Sequence, residues 1–210
     1  MSYPFIGFTQ EDFDVFHIPG LEPRMQALIT HVRPKLEQLG ALLAPSLSAL
    51  CGEEMYAHVA KHARRSVNPP DDTWVAFANR KRGYKALPHF QVGLWSTHVF
   101  IQFAIIYESL EHKHRFAEAL QKDRKKLWSP LPDHYEWSLD HMKPEGTRIA
   151  DMQAKDVERM VEAWLRVKKS EVLCGLRIDR KDALLSDGEG FLQTAEDTFR
   201  HLLPLYRAAF

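Results

Sequence analysis

A net excess of positive or negative charge is missing from this sequence: 28 Lys and Arg balance 28 Asp and Glu across 210 residues. That balance removes the overall basic excess with which a chain coats nucleic acid or an anionic membrane. Cysteine is scarce too. Cys51 and Cys174 stand 123 positions apart, too isolated for a CxxC redox or zinc motif, and such usage fits a reducing cytoplasm. GxSxG, a Walker loop, GxGxxG and a DxD-type acidic cluster are all absent, so no cofactor is expected. The start, Met1-Ser2-Tyr3-Pro4-Phe5, has no basic n-region and no small-residue cleavage site; it does not read as a signal peptide.

What is present is ordinary for a soluble globular protein: 45% hydrophobic and 27% charged residues. The length suits a single domain over 1–210 with a core that needs no disulfide or metal. One stretch could be mistaken for a membrane span. Ala86 to Tyr107 runs 22 residues without Asp, Glu, Lys or Arg. It contains His89, Gln91, His98 and Gln102, and a polar Ser96-Thr97 pair divides it, so it reads as a buried β-hairpin rather than a lipid-facing helix.

A two-residue turn at Ser96-Thr97 makes cross-strand partners sum to 193. Leu94 then faces Val99, Val92 faces Ile101 and Phe90 faces Phe103, an apolar set on one face as a half-buried antiparallel sheet requires. The same register puts Trp95 beside His98, Gly93 beside Phe100, Gln91 beside Gln102 and His89 beside Ala104. That second face is polar and aromatic but uncharged, which is unusual for a face left in water. It suggests a cleft in which His89, Gln91 and Gln102 hydrogen-bond a ligand, with a depression where Gly93 lacks a side chain; the alternative is a helix covering amides that satisfy one another.

Elsewhere Thr9 reads as a helix N-cap. Helical spacing continues from Leu21 to Leu43, with a kink near Thr30 where Pro34 cannot donate. Met55–Ala63, Thr73–Asn79, His89–Trp95 and His98–Tyr107 read as strands, followed by a helix over about 111–127 and a short strand at His134–Leu139. A helix over 154–168 carries an exposed Glu162–Arg166 pair, and Val172–Asp179 is a last strand. Ser186 and Glu189 predict a capping box for a closing helix that Pro204 breaks or kinks near its end. The order is α+β: one largely antiparallel sheet of about five to six strands packed with about five helices.

The strings Gly7-Phe8-Thr9, Gly52-Glu53-Glu54-Met55, Ala63-Arg64-Arg65, Asn68-Pro69-Pro70, Asp72-Thr73-Trp74, Lys81-Arg82-Gly83-Tyr84-Lys85 and Pro88-His89-Phe90-Gln91 together resemble the YktB-like family of uncharacterised bacterial proteins. The resemblance covers most of the chain. It implies a cytosolic α+β protein and carries over no catalytic residue.

His58 and His62 form an HxxxH spacing, but on a strand such residues lie about 13 Å apart, too far to share an ion, so no metal is expected. Cys174 alternates with Val172, Leu176 and Ile178 and reads as a small core residue. Asp71-Asp72 reads as capping acids of a turn. The informative bias is local. Between Lys61 and Lys85 seven basic residues (Lys61, Arg64, Arg65, Arg80, Lys81, Arg82, Lys85) face two acids, with Trp74 and Tyr84 interleaved. Arg64, Arg65, Arg80, Arg82, Tyr84 and Lys85 are thus candidates to bind an anion, either a single nucleic-acid strand or a phosphorylated small molecule. If their strands pair as a hairpin, the two basic clusters fall at opposite ends. The competing readings are a solvated loop that discourages sheet aggregation, an enzyme using sheet-face histidines as acid or base, and a docking module for a partner.

Overall fold

The computed structural model describes residues 5–210; Met1–Pro4, on which the reading of the amino terminus partly rests, lie outside them. Seven antiparallel strands form one sheet in the order β1-β2-β3-β4-β7-β5-β6. They are β1 Tyr56–Val59, β2 Asp72–Ala78, β3 His89–Trp95, β4 His98–Ile105, β5 Glu136–Ser138, β6 Thr147–Arg148 and β7 Val172–Asp179. The class is the α+β type expected, with slightly more strands. The addition is the two-residue β6, too short to show a period of two and joined to the sheet through β5.

The β3–β4 hairpin has the predicted register: Leu94 faces Val99, Val92 faces Ile101, Gln91 faces Gln102 and His89 faces Ala104. All six apolar partners on one face are fully buried. Helices α3 (Arg33–Cys51), α4 (Leu110–Lys122), α6 (Ala154–Arg166) and α7 (Gly188–Ala208) cover this face. Phe90 stacks on Tyr206 at 5.0 Å, and Phe103 meets Phe116 at 5.8 Å. Gly40 lets α3 lie close on the sheet, since a Cβ there would sit 2.9 Å from that of Ala57. Among the described residues no helix is long and apolar enough to cross a membrane.

Several local expectations change. The bend near Thr30 is a π-turn over Leu28–Val32 joining α2 (Leu21–Ala27) to α3, which runs on through Pro45 to Cys51. Strand β1 stops at Val59, and His62 adopts a left-handed φ of 51° that turns the chain away. The helix expected over 111–127 breaks at Asp123, which accepts the Lys126 amide and starts α5 (Arg124–Trp128). Asp187, not Ser186, caps α7 by accepting the Gly190 amide at 3.0 Å. Pro204 lies inside α7 without ending it, because buried Leu202, Leu205 and Tyr206 hold that turn on the sheet. No depression forms at Gly93: the Phe100 ring lies over it, and a Cβ would come within 2.3 Å of that ring.

Candidate functional site

The opposite sheet face is covered by loops. Tyr84 lies across it, stacked on His58 at 5.0 Å, edge-on to His89 at 5.2 Å, and accepting a hydrogen bond from Trp74 Nε1 at 3.0 Å. Burial pushes the Tyr84 hydroxyl up to about 12, so it remains a neutral partner. The loop between β5 and β6 forms a second wall, tied down where the Arg177 guanidinium donates to the Pro144 carbonyl and Nε pairs with Glu136 at 3.1 Å.

Between these loops is a cleft lined by Asp72, Trp74, Tyr84, Lys85, Gln91, Gln102, His141 and Lys143, among others. It is narrow, about 30 Å³, room for one or two waters. Its floor is a directional chain of hydrogen bonds. Gln102 Nε2 donates to Gln91 Oε1 at 2.8 Å, Gln91 Nε2 donates to His89 Nε2 at 2.9 Å, and His89 Nδ1 donates to the Leu87 carbonyl at 2.7 Å. The amides therefore satisfy one another, yet no helix covers them. His89 is fully buried with both ring nitrogens occupied, and burial lowers its pKa to about 4. His98, accepting from Thr97 Oγ1, is also pushed to about 4 by burial. Both sheet-face histidines stay neutral at neutral pH.

Beside the cleft, and sharing Trp74, Tyr84 and Lys85 with it, runs a groove of about 390 Å³ lined also by Lys61, His62, Arg64 and Arg65. The tight turn at His62 places Arg64 and Arg65 on its rim; Arg65 also donates to the Asn68 and Pro69 carbonyls and so shapes the loop. Lys85 lies 6.0 Å over the Trp74 ring. Four basic residues thus meet two aromatic ones. Arg80 and Arg82 line neither depression. The antiparallel pairing of β1 with β2 leaves them at the other end, where the Arg80 carbonyl accepts from His58 Nε2 at 2.8 Å. His58 and His62 are separately engaged, the latter with Thr73 Oγ1 at 3.1 Å.

His141 in the cleft and Glu171 behind it had no role in the sequence reading, and Asp72 had only that of a turn-capping acid. Glu171 is 1% exposed, and its carboxylate accepts the His141 amide at 2.8 Å, the Tyr107 amide at 3.3 Å and His141 Nδ1 at 2.7 Å. Its backbone is equally fixed, N–H to the Leu139 carbonyl and C=O from Trp164 Nε1. Just before it, the buried Lys113 ammonium donates to the carbonyls of Val167, Lys168 and Ser170 at the end of α6. With Nδ1 donating to Glu171, His141 Nε2 has no bond to any described residue. Although burial alone would lower the His141 pKa, the hydrogen bond and charge of Glu171 outweigh it and raise the pKa above its usual value. Asp72 is 95% buried with no ion pair among the described residues, and burial raises its carboxyl to about 6 against the opposing pull of His141 and Arg65. A lone acid leading into an apolar strand, as Glu171 leads into Val172-Leu173-Cys174, was the one available signal. Asp140, His141 and Glu171 bring ligand-type atoms within 4.8 Å of one another. These atoms are spent on hydrogen bonds: the His141–Glu171 spacing is that of a ring N–H on a carboxylate, and Asp140 Oδ1 accepts the Met142 amide at 2.9 Å. Cys174 is buried with its thiol pushed well up by burial, a core residue as expected.

Fold and site together define a class: an antiparallel sheet backed by helices on one face and roofed by loops over a polar cleft on the other. The family model described as Domain of unknown function (DUF1054) matches residues 8–206, and the chain belongs to that family, which bears out the YktB-like resemblance. It is 55% identical to a UPF0637 protein of Bacillus velezensis over 201 residues, 95% of this chain and 94% of that one. UPF0637 proteins of Bacillus licheniformis and Bacillus cereus are 52% and 47% identical, each over 95% of this chain and 94% and 95% of theirs. None of these descriptions states an activity.

Proposed function

We propose that this chain binds a small phosphorylated molecule at the groove and the adjoining cleft. The observation that carries the reading is the meeting of Lys61, Arg64, Arg65 and Lys85 with Trp74 and Tyr84 around one depression of about 390 Å³, a size usual for small-ligand sites. Arginine forks and an ammonium suit phosphate oxygens, and the Trp74 ring offers an apolar wall. A nucleic-acid strand is the weaker fit. Arg80 and Arg82 lie apart from the groove, so the basic residues form no continuous track, and the chain as a whole is neutral.

Calorimetric titration with phenyl phosphate, diphenyl phosphate and a twelve-residue oligothymidylate tests this. The aryl phosphates are expected to bind, and the double variant Arg64→Ala/Lys85→Ala to weaken them by about tenfold or more, the usual effect of removing charge-assisted hydrogen bonds. Arg80→Ala/Arg82→Ala is expected to leave their affinity unchanged. Binding of the oligonucleotide alone, or dependence on Arg80 and Arg82, would overturn the reading.

A further inference from the structure

Resting on that reading, we infer that the ligand is a phosphomonoester whose terminal phosphoryl group sits on the backbone amides of His62, Ala63 and Arg64. The wall of the groove that carries these amides is main chain. Every residue from Val59 to Arg65 lines it, whereas a strand or helix presents only the residues of one face. The ladder to β2 ends where the Ala60 amide donates to the Trp74 carbonyl at 2.8 Å. Beyond it the Arg65 amide donates to the His62 carbonyl at 3.0 Å, closing a four-residue turn. The amides of His62, Ala63 and Arg64 meet no acceptor among the described residues.

The backbone angles aim those amides together. Among the described residues His62 alone, glycines aside, has a positive φ, 51°, in the left-handed region that side chains rarely adopt. Ala63 and Arg64 have negative φ, and a hydrogen-bonded turn with both central φ negative is type I, with right-handed backbone. A left-handed residue followed by a right-handed one turns successive N–H groups into one concavity, a nest for an anion. Strain of this kind persists where neighbours hold it. His62 Nε2 bonds with Thr73 Oγ1 at 3.1 Å, and its ring meets Trp74 edge-on at 5.5 Å.

Charge and shape then select the ester. Lys61, Arg64, Arg65 and Lys85 line the groove, and no Asp or Glu does. A monoester brings about −1.5 to −2 charges at neutral pH and three terminal oxygens to the amides and the cations. A diester brings a single charge and two such oxygens, and turns a second organic group into the turn. The organic group of a monoester lies toward the Trp74 ring, the apolar wall of the same groove.

Calorimetry near neutral pH with phenyl phosphate, diphenyl phosphate and inorganic phosphate tests this, together with amide spectra recorded on adding phenyl phosphate. Phenyl phosphate is expected to bind about tenfold or more tightly than either of the others, the scale of a charge-assisted hydrogen bond. The amide protons of His62, Ala63 and Arg64 are expected to move downfield as they gain an acceptor. His62→Gly, which takes a positive φ freely, is expected to keep the preference for phenyl phosphate; His62→Val, which resists that φ, is expected to lose it. The amide response is read on the unaltered protein, so it decides even where His62→Val fails to fold. Diphenyl phosphate or inorganic phosphate binding as tightly as phenyl phosphate overturns this inference and leaves the binding reading standing. Unmoved amides at saturation, or the same affinities in the Gly and Val variants, also overturn it. Absence of binding by both esters overturns both readings.

Discussion

The two faces of the sheet are made by alternate residues of the same strands, yet they solve different problems. On the helix-covered face, Phe90, Val92, Ile101 and Phe103 are fully buried in the apolar core against α3, α4 and α7. On the loop-covered face, His89, Gln91 and Phe100 are almost as buried, but the cleft beside them holds a buried carboxyl, Asp72, with no ion pair among the described residues, and a histidine with a spare nitrogen. The first face is optimised for stability. The second keeps features that cost stability, as functional sites do.

That contrast can be broken by mutation. Phe90→Ala removes a ring packed on both Phe199 and Tyr206 and is expected to destabilise the fold by about 3–5 kcal/mol in urea unfolding. Asp72→Asn is expected to do the opposite. A carboxyl raised to about 6 in the fold and ionised at pH 8 costs up to about 3 kcal/mol relative to its unfolded value, so the amide should raise Tm by several degrees. A lower Tm in the variant would mean that Asp72 is structural. Gln91→Leu, which interrupts the chain from Gln102 to His89, is expected to cost about 1–3 kcal/mol by leaving a buried acceptor unpaired.

Acid sharpens the comparison. His62, His89 and His98 are each held near 4 by burial, so between pH 6.5 and 4 the unfolded chain takes up protons that the fold refuses. Their contribution is complete above pH 6.5 and is lost as pH falls. Asp72 has the opposite sign: its raised pKa makes the fold take up a proton first, so stability is gained as pH falls from about 6. Three groups outweigh one. Unfolding free energy is expected to drop between pH 6.5 and 4, and to drop more steeply in Asp72→Asn.

The sequence made the first face far more legible than the second. Apolar alternation on both arms of the hairpin admits one register, which is why partners summing to 193 could be placed without coordinates. The uncharged reverse face signalled burial, though not by what. Loop convergence left no local trace: Asp72 and His141 meet from segments 69 positions apart, and no short-range pattern encodes that. The basic cluster was visible as composition, but its division into Arg64, Arg65 and Lys85 on the groove and Arg80 and Arg82 away from it depends on the turn at His62 and the fold-back of Tyr84. Small rivalries also misled the local reading. Asp187 outcompetes Ser186 one residue earlier as a cap, and tertiary packing carries α7 through Pro204.

The most direct test of the division between the faces is a map of amide and indole chemical shifts on adding diphenyl phosphate. Changes are expected at Trp74 Nε1, residues 60–65, residues 84–91 and residues 139–143, with α3 and α7 unmoved. Shifts confined to the helical layer, or none at saturating probe, would contradict the assignment of function to the loop-covered face.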